Sequence, residues 1–376
     1  PYSEEELENF RKKAEEEKRP FLYRDHRPEN PPVWDGTKPL RFKTPTIKKF
    51  EWNDLVWGDL SAGIDALDDY ILIKSDGYPT YNFAHIVDDI EMQVTHVMRG
   101  QEFISSTPKF LSLYEALDIE PPLFASLPAI LGKEGTKKLS KRDGAKDILD
   151  YKKEGYLKDA MVNFLAFLGW NPGDDREVFT LDELVNTFEI SKIQHSGARL
   201  NEEKLLWFNK EHMKLLSLEE KETEVISRLK STVLSESPKL NDKSFIKKIT
   251  PVIFDHISIW QDIETMSLAG ELSYFFEEPT YDPTLLSWKG KSLDESKVHL
   301  KWVKEKLESA NNSDFEVVDS IKALVFDYAT EQGRGDVLWP LRVSLSGKEK
   351  SPDPFTLIYI LGKEESLKRI NKALNI

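Results

Sequence analysis

Residues 75–131 read SDGYPTYNFAHIVDDIEMQVTHVMRGQEFISSTPKFLSLYEALDIEPPLFASLPAIL, and the texture of this stretch decides the fold. Apolar positions recur at helical spacing over 82–92, and a short strand-like run covers 95–98. A second helix pattern opens near Thr107 and Pro108, where proline suits a first turn, and a second apolar run covers 124–131. Helices and strands that alternate with short joins predict a parallel α/β sheet.

On the N-terminal side the pattern is different. Ser3 followed by Glu6 has capping-box spacing and opens a charged helix to about Lys18, whose mixed charges read as a solvated face. A proline-rich stretch over 20–45 carries turn signals at Pro31-Pro32 and Asp35-Gly36. Strand-like runs then cover 40–43, 54–57 and 70–74, separated by Gly58 and Asp76-Gly77. Beyond about Asp147 the strand signals fade. Helical patterns recur at 158–168, 181–188, 201–209, 217–230, 246–256, 293–309, 315–331 and 366–375, so the C-terminal half reads as all-helical.

Bulk composition bounds the function. The 376 residues suit two or three domains. The most apolar stretch, 161–170, is far short of the roughly 20 residues that span a bilayer, so no membrane role is expected. With no cysteine, disulfides and thiolate metal sites made by this chain alone are excluded, which fits a reducing cytoplasm. A net charge of −14 argues against a general nucleic-acid binder, yet leaves room for a local basic face. The first residue is Pro1 and the opening segment is acidic, unlike a secretory signal; the expectation is that a longer natural chain precedes it.

Three groups of residues could carry chemistry. Lys137, Lys138, Lys141 and Arg142 flank Leu139 and Ser140 behind a Gly132–Gly135 turn; four cations in six residues repel unless an anion such as a triphosphate joins them. A solvated basic loop is the plainer alternative. Arg99 and Glu102, with Phe103, sit where a predicted strand gives way to a helix. Open α/β sheets place ligands at such ends, where Arg99 could clamp a carboxylate, Glu102 accept from a ribose hydroxyl and Phe103 pack on a base. A surface pair is the alternative there. Tyr81 and His85 are four apart on one helix face and could read a small polar substrate, or be half-buried core groups. Asp88 and Asp89 read as capping or structural hydrogen bonders rather than metal ligands.

Together these segments resemble the bacterial-type glutamyl-tRNA synthetases of class I. Residues 138–142 (KLSKR) look like that family's KMSKS signature, 75–81 (SDGYPTY) like its strand-to-helix turn, and 97–102 (VMRGQE) like its V-I-R-G-x-E segment. The resemblance continues through 168–174 (LGWNPGD), 203–209 (EKLLWFN), and Pro340-Leu341-Arg342 with Ser351-Pro352 and Leu361-Gly362-Lys363.

The resemblance implies an α/β plus all-α architecture. An inserted α+β acceptor-stem domain would occupy 1–80 and the second half of a Rossmann-type catalytic domain 81–135. A helical junction carrying the KLSKR loop would occupy 136–215 and a helical anticodon-binding domain 216–376. It implies a glutamate–tRNA ligase that uses ATP and Mg²⁺, with tRNA (glutamate-accepting, possibly glutamine tRNA as well) and L-glutamate as partners, in a cytoplasmic monomer. Tyr81, His85 and Arg99 would line the glutamate pocket. Glu102, Phe103, Ile130, Leu131, Lys138, Leu139, Ser140, Lys141 and Arg142 would border ATP, with Lys138, Lys141 and Arg142 the catalytic cations. Lys192, Lys204, Arg334 and Arg342 are candidates for RNA phosphates, and His26 is a weak zinc candidate. The family's His-x-Gly-His motif does not occur in this sequence, so the chain alone is expected not to aminoacylate. The alternatives are a glutaminyl-tRNA synthetase, whose anticodon part is β-barrel, a shorter tRNA-base-modifying paralogue, and a non-catalytic tRNA-binding derivative.

Overall fold

A computed structural model describes residues 2–132, 135, 137–139 and 146–376. The chain divides into two compact units, one of Pro1–Ala145 with Val162–Glu202, the other of Lys146–Met161 with Glu203–Ile376.

The first unit opens with α1 (Glu4–Glu16), where the expected capping box forms: Ser3 N donates to Glu6 at 2.7 Å and Glu6 N to Ser3 Oγ at 3.2 Å. Next come β1 (Leu40–Arg41), β2 (Phe50–Asp54), β3 (Gly58–Ala62), β4 (Ile71–Ile73), α2 (Tyr81–Glu91), β5 (His96–Gly100), α3 (Thr107–Ala116) and β6 (Leu123–Leu127). β1 and β4 pair by themselves, antiparallel. The main sheet runs β3-β2-β6-β5. β5 and β6 are parallel in register from His96↔Leu123 to Gly100↔Leu127, joined by the α3 crossover, as the alternation predicts. The antiparallel β2–β3 hairpin joins β6 through one parallel pair, Asp54↔Phe124. Phe50, Leu67, Ile86, Phe110, Leu113 and Phe124 form the core beneath it.

Two strand expectations need correction. Of the run 54–57, Asp54 ends β2 and 55–57 form the turn to β3 rather than a strand. Buried Asp54 accepts from Val56 N at 2.9 Å and Trp57 N at 3.1 Å, an Asx-type turn that bends the chain back. The run 124–131 stops as a strand at Leu127, because Pro128 has no N–H to give the ladder.

Helices α4 (Ile148–Glu154), α5 (Lys158–Phe167), α6 (Leu181–Thr187) and α7 (Glu202–Leu215) follow. The second unit continues with α8 (Leu218–Lys230), α9 (Lys243–His256), α10 (Gln261–Leu268), α11 (Ser273–Phe276), α12 (Leu293–Ser309), α13 (Val318–Gln332), α14 (Arg334–Ser346) and α15 (Pro354–Leu374). It is helical among its described residues, as the sequence predicts. The periodicity missed α14, because Gly335 and Pro340 interrupt its pattern; both are tolerated where the helix packs against Trp288 and the core. It also missed the first half of α15, which a kink at Gly362 separates from the predicted second half. No helix among the described residues is long and apolar enough to cross a membrane.

Candidate active site

Arg99 stands at the C-terminal end of β5, where the sheet places ligands. Its guanidinium lies over three rings, Phe110 at 4.6 Å, Phe103 at 5.1 Å and Phe124 at 5.3 Å. Nη2 reaches Thr107 Oγ1 at a long 3.5 Å, and Nη1 is buried without a hydrogen-bond partner among the described residues. No described carboxylate forms an ion pair with it. Burial pulls its pKa down, opposed by Tyr81 and Asp89 nearby. A half-buried cation with an open donor, framed by aromatic faces, is completed by an incoming carboxylate.

Beside it, Tyr81 and His85 at the start of α2 do share a face, with rings stacked at 4.8 Å. Tyr81 is exposed and also meets Phe103 at 5.6 Å, while the His85 ring stands edge-on to Phe110 at 4.6 Å. His85 Nδ1 lies 2.7 Å from Tyr81 O. A carbonyl only accepts, so Nδ1 carries the hydrogen in the neutral ring and Nε2 keeps its lone pair. The structure therefore brings Tyr81, His85, Arg99 and Phe103 together.

Burial, aided by Arg99 and opposed by the Tyr81 carbonyl and Asp88 and Asp89, lowers the His85 pKa from its ordinary 6.5. As pH falls, the unfolded chain takes this proton first, so stability present above pH 6.5 is lost below it. Melting temperature should therefore drop between about pH 7.5 and about pH 5.5, and by less in His85→Asn. An equal drop in both proteins would mean that other groups carry the dependence.

The residues expected to border ATP form a second group. Ile130 O accepts from Leu139 N at 2.8 Å and Gly132 N donates to Lys137 O at 2.9 Å, so 130–132 pairs back on 137–139 in hairpin fashion. Lys138 Nζ reaches Glu102 Oε1 at 2.6 Å, which holds the Glu102 carboxyl below its usual range. Ser140, Lys141 and Arg142 lie outside the described residues.

Other sequence candidates have varied settings. Lys192 is engaged by Pro172 O at 3.0 Å and Glu189 at 2.8 Å, Lys204 lies 3.9 Å from the Trp207 ring, and Arg334 lies 4.6 Å from Phe326. Arg342 Nε is buried without a partner among the described residues. His26 stacks on Phe10 at 4.2 Å and Phe21 at 5.7 Å, and among the described residues no three His, Asp or Glu gather as a metal site.

Sequence reasoning missed two residues here. Tyr114 turns a buried hydroxyl, unpartnered among the described residues, into the neighbourhood of Arg99; burial, then Asp89, push its pKa up to about 12. Buried Asp54 receives Ser126 N on both carboxylate oxygens, at 3.1 and 3.0 Å, tying the β2–β3 turn to β6. Tyr114 looks like an ordinary core aromatic in sequence, and Asp54 like an edge charge, so neither carries a local signal.

Residues 2–207 match the family described as tRNA synthetases class I (E and Q), catalytic domain, and residues 217–374 match an anticodon binding domain. The chain is 37% identical to a glutamate–tRNA ligase of Clostridium acetobutylicum, over 98% of this chain and 75% of that protein. A glutamate–tRNA ligase of Clostridium botulinum is 35% identical over 99% and 76%. Among solved structures, a glutamate tRNA ligase from Elizabethkingia meningosepticum, in complex with its amino acid, superposes with a TM-score of 0.75. It is 33% identical, over all of this chain and 71% of that one.

Proposed function

Because this chain belongs to the glutamate–tRNA ligase family of class I synthetases, we propose that Arg99 binds a carboxylate of glutamate and that the 130–139 hairpin borders ATP. The activity is ATP-dependent attachment of glutamate to tRNA: a glutamate carboxylate oxygen attacks the α-phosphate, pyrophosphate leaves, and a terminal ribose hydroxyl of tRNA displaces AMP from the acyl group. The ligase names of the relatives, together with a helical anticodon-binding match, weigh against the non-catalytic and glutaminyl alternatives.

The observation that carries the site assignment is the unpaired, buried Nη1 of Arg99 within its aromatic frame. Tyr81 and His85 form the adjoining wall, His85 offering Nε2 as an acceptor when neutral. Phe103, Ile130 and Leu131 border the base, and Glu102 accepts from ribose once Lys138 turns to phosphate. Lys138, Lys141 and Arg142 hold the phosphates, with Leu139 and Ser140 between them. Mg²⁺ bound with the nucleotide would supply charge neutralisation on phosphate oxygens; among the described residues no three His, Asp or Glu gather to hold it. The division at residues 80, 135 and 215, the monomeric state and a cytoplasmic location belong to the same proposal.

The test is tRNA-dependent ATP–pyrophosphate exchange on the full-length gene product. Glutamate-dependent exchange is expected, falling about 10²-fold in Lys141→Ala as charge stabilisation of the leaving pyrophosphate is lost. tRNA binding without exchange would sink the catalytic reading, and an unchanged Lys141→Ala would sink the role of that lysine.

A further inference from the structure

Arg199 draws attention because its guanidinium has no partner among the described residues. Its backbone is fixed to the nucleotide-side hairpin: Leu131 N donates to Ala198 O at 2.8 Å and Leu200 N to Leu131 O at 3.0 Å. The approach is close enough that a Cβ on Gly197 would stand 2.6 Å from Ala129 O. From this anchored segment the Arg199 side chain reaches across the hairpin and rests on Gly135, which has φ +71°; a Cβ there would overlap the guanidinium. One glycine admits the backbone and the other admits the side chain.

The charge setting makes this placement informative. Lys138 is already engaged by Glu102. Arg199 has no ion-pair or hydrogen-bond partner for its guanidinium among the described residues, and the described residues that flank Gly135 in sequence include Lys137 and Lys138 but no carboxylate. An arginine held against a lysine-rich turn gains nothing from its neighbours, and the arrangement becomes favourable when an anion with several oxygens arrives.

We propose that Arg199 is a further phosphate-binding residue of the site, contacting the polyphosphate of ATP from across Gly135. The proposal rests on the reading that the 130–139 hairpin borders ATP. A planar guanidinium meets two phosphate oxygens at once, which a lysine at that position cannot reproduce.

The experiment is calorimetric titration of the full-length gene product with Mg·ATP and, separately, with AMP, for wild type, Arg199→Gln and Arg199→Lys. Arg199→Gln should weaken ATP about tenfold and leave AMP unchanged, with Arg199→Lys between. Equal losses for ATP and AMP would show a merely structural role, and an unchanged ATP affinity would overturn the proposal. Filter binding of tRNA at two salt concentrations separates the other source of phosphate. Weaker tRNA binding and a smaller salt slope, with ATP affinity intact, would assign Arg199 to RNA and overturn the proposal too. If wild type itself binds no ATP, the reading of the hairpin has failed before Arg199 is at issue.

Discussion

Arg99→Gln should lower kcat/KM for glutamate by about 10³-fold in the full-length gene product, because a desolvated charge pair loses its cation. The side chain sits against Phe110, Phe103 and Phe124, so water compensates poorly for the missing charge. Glutamine keeps much of the arginine's shape, so the loss reads charge rather than packing. Arg99→Lys should recover part of it, since an ammonium keeps the charge and forfeits the bidentate geometry. The loss should fall on glutamate and leave KM for ATP within about twofold, as the proposed site gives the two substrates different residues. A variant whose glutamate kinetics change by less than about tenfold would mean that the substrate carboxylates are held elsewhere.

Arg369→Met should destabilise the helical unit by about 3–5 kcal/mol, the second large effect expected. Arg369 is 1% exposed, yet fully engaged. Nη1 donates to Tyr274 O at 2.7 Å and Leu345 O at 2.6 Å, Nη2 to Glu277 O at 3.0 Å, and Nε to Glu365 at 2.8 Å. One side chain thus ties α15 to α11 and α14 by closing carbonyls that have lost water. Methionine fills the volume but leaves those acceptors bare, at about 1–3 kcal/mol each before relaxation. In calorimetry the transition of this unit should move down by about 10 °C. A shift under about 2 °C would mean that repacking or water replaces the donors.

The helical unit was legible in outline because amphipathic periodicity is local, and α8 and α12 appear almost residue for residue as the pattern predicts. What failed was punctuation. Glycine and proline inside α14 read as breakers, since local propensity cannot know that the surrounding helices will hold them in place. The same limit explains the 54–57 correction: apolar residues in a turn look like a strand until Asp54 is seen to bend the chain.

At the candidate site the sequence supplied residue types and spacing. Tyr81 and His85 had to share a face because a helix repeats every 3.6 residues, and Arg99 had to stand at a strand end because the pattern changes there. The family, and with it the ligase activity, follows from such ordered motifs. Their environment is another matter. That Arg99 is framed by rings from α3 and β6, that Tyr114 adds a silent hydroxyl, and that Arg199 crosses to Gly135 depend on contacts between residues 11 to 64 positions apart. Chain order by itself thus determined most of the elements, their order and the family. Tertiary packing decided which charges lost water and which were left without a partner, because desolvation depends on everything that surrounds a side chain and not on its neighbours in sequence.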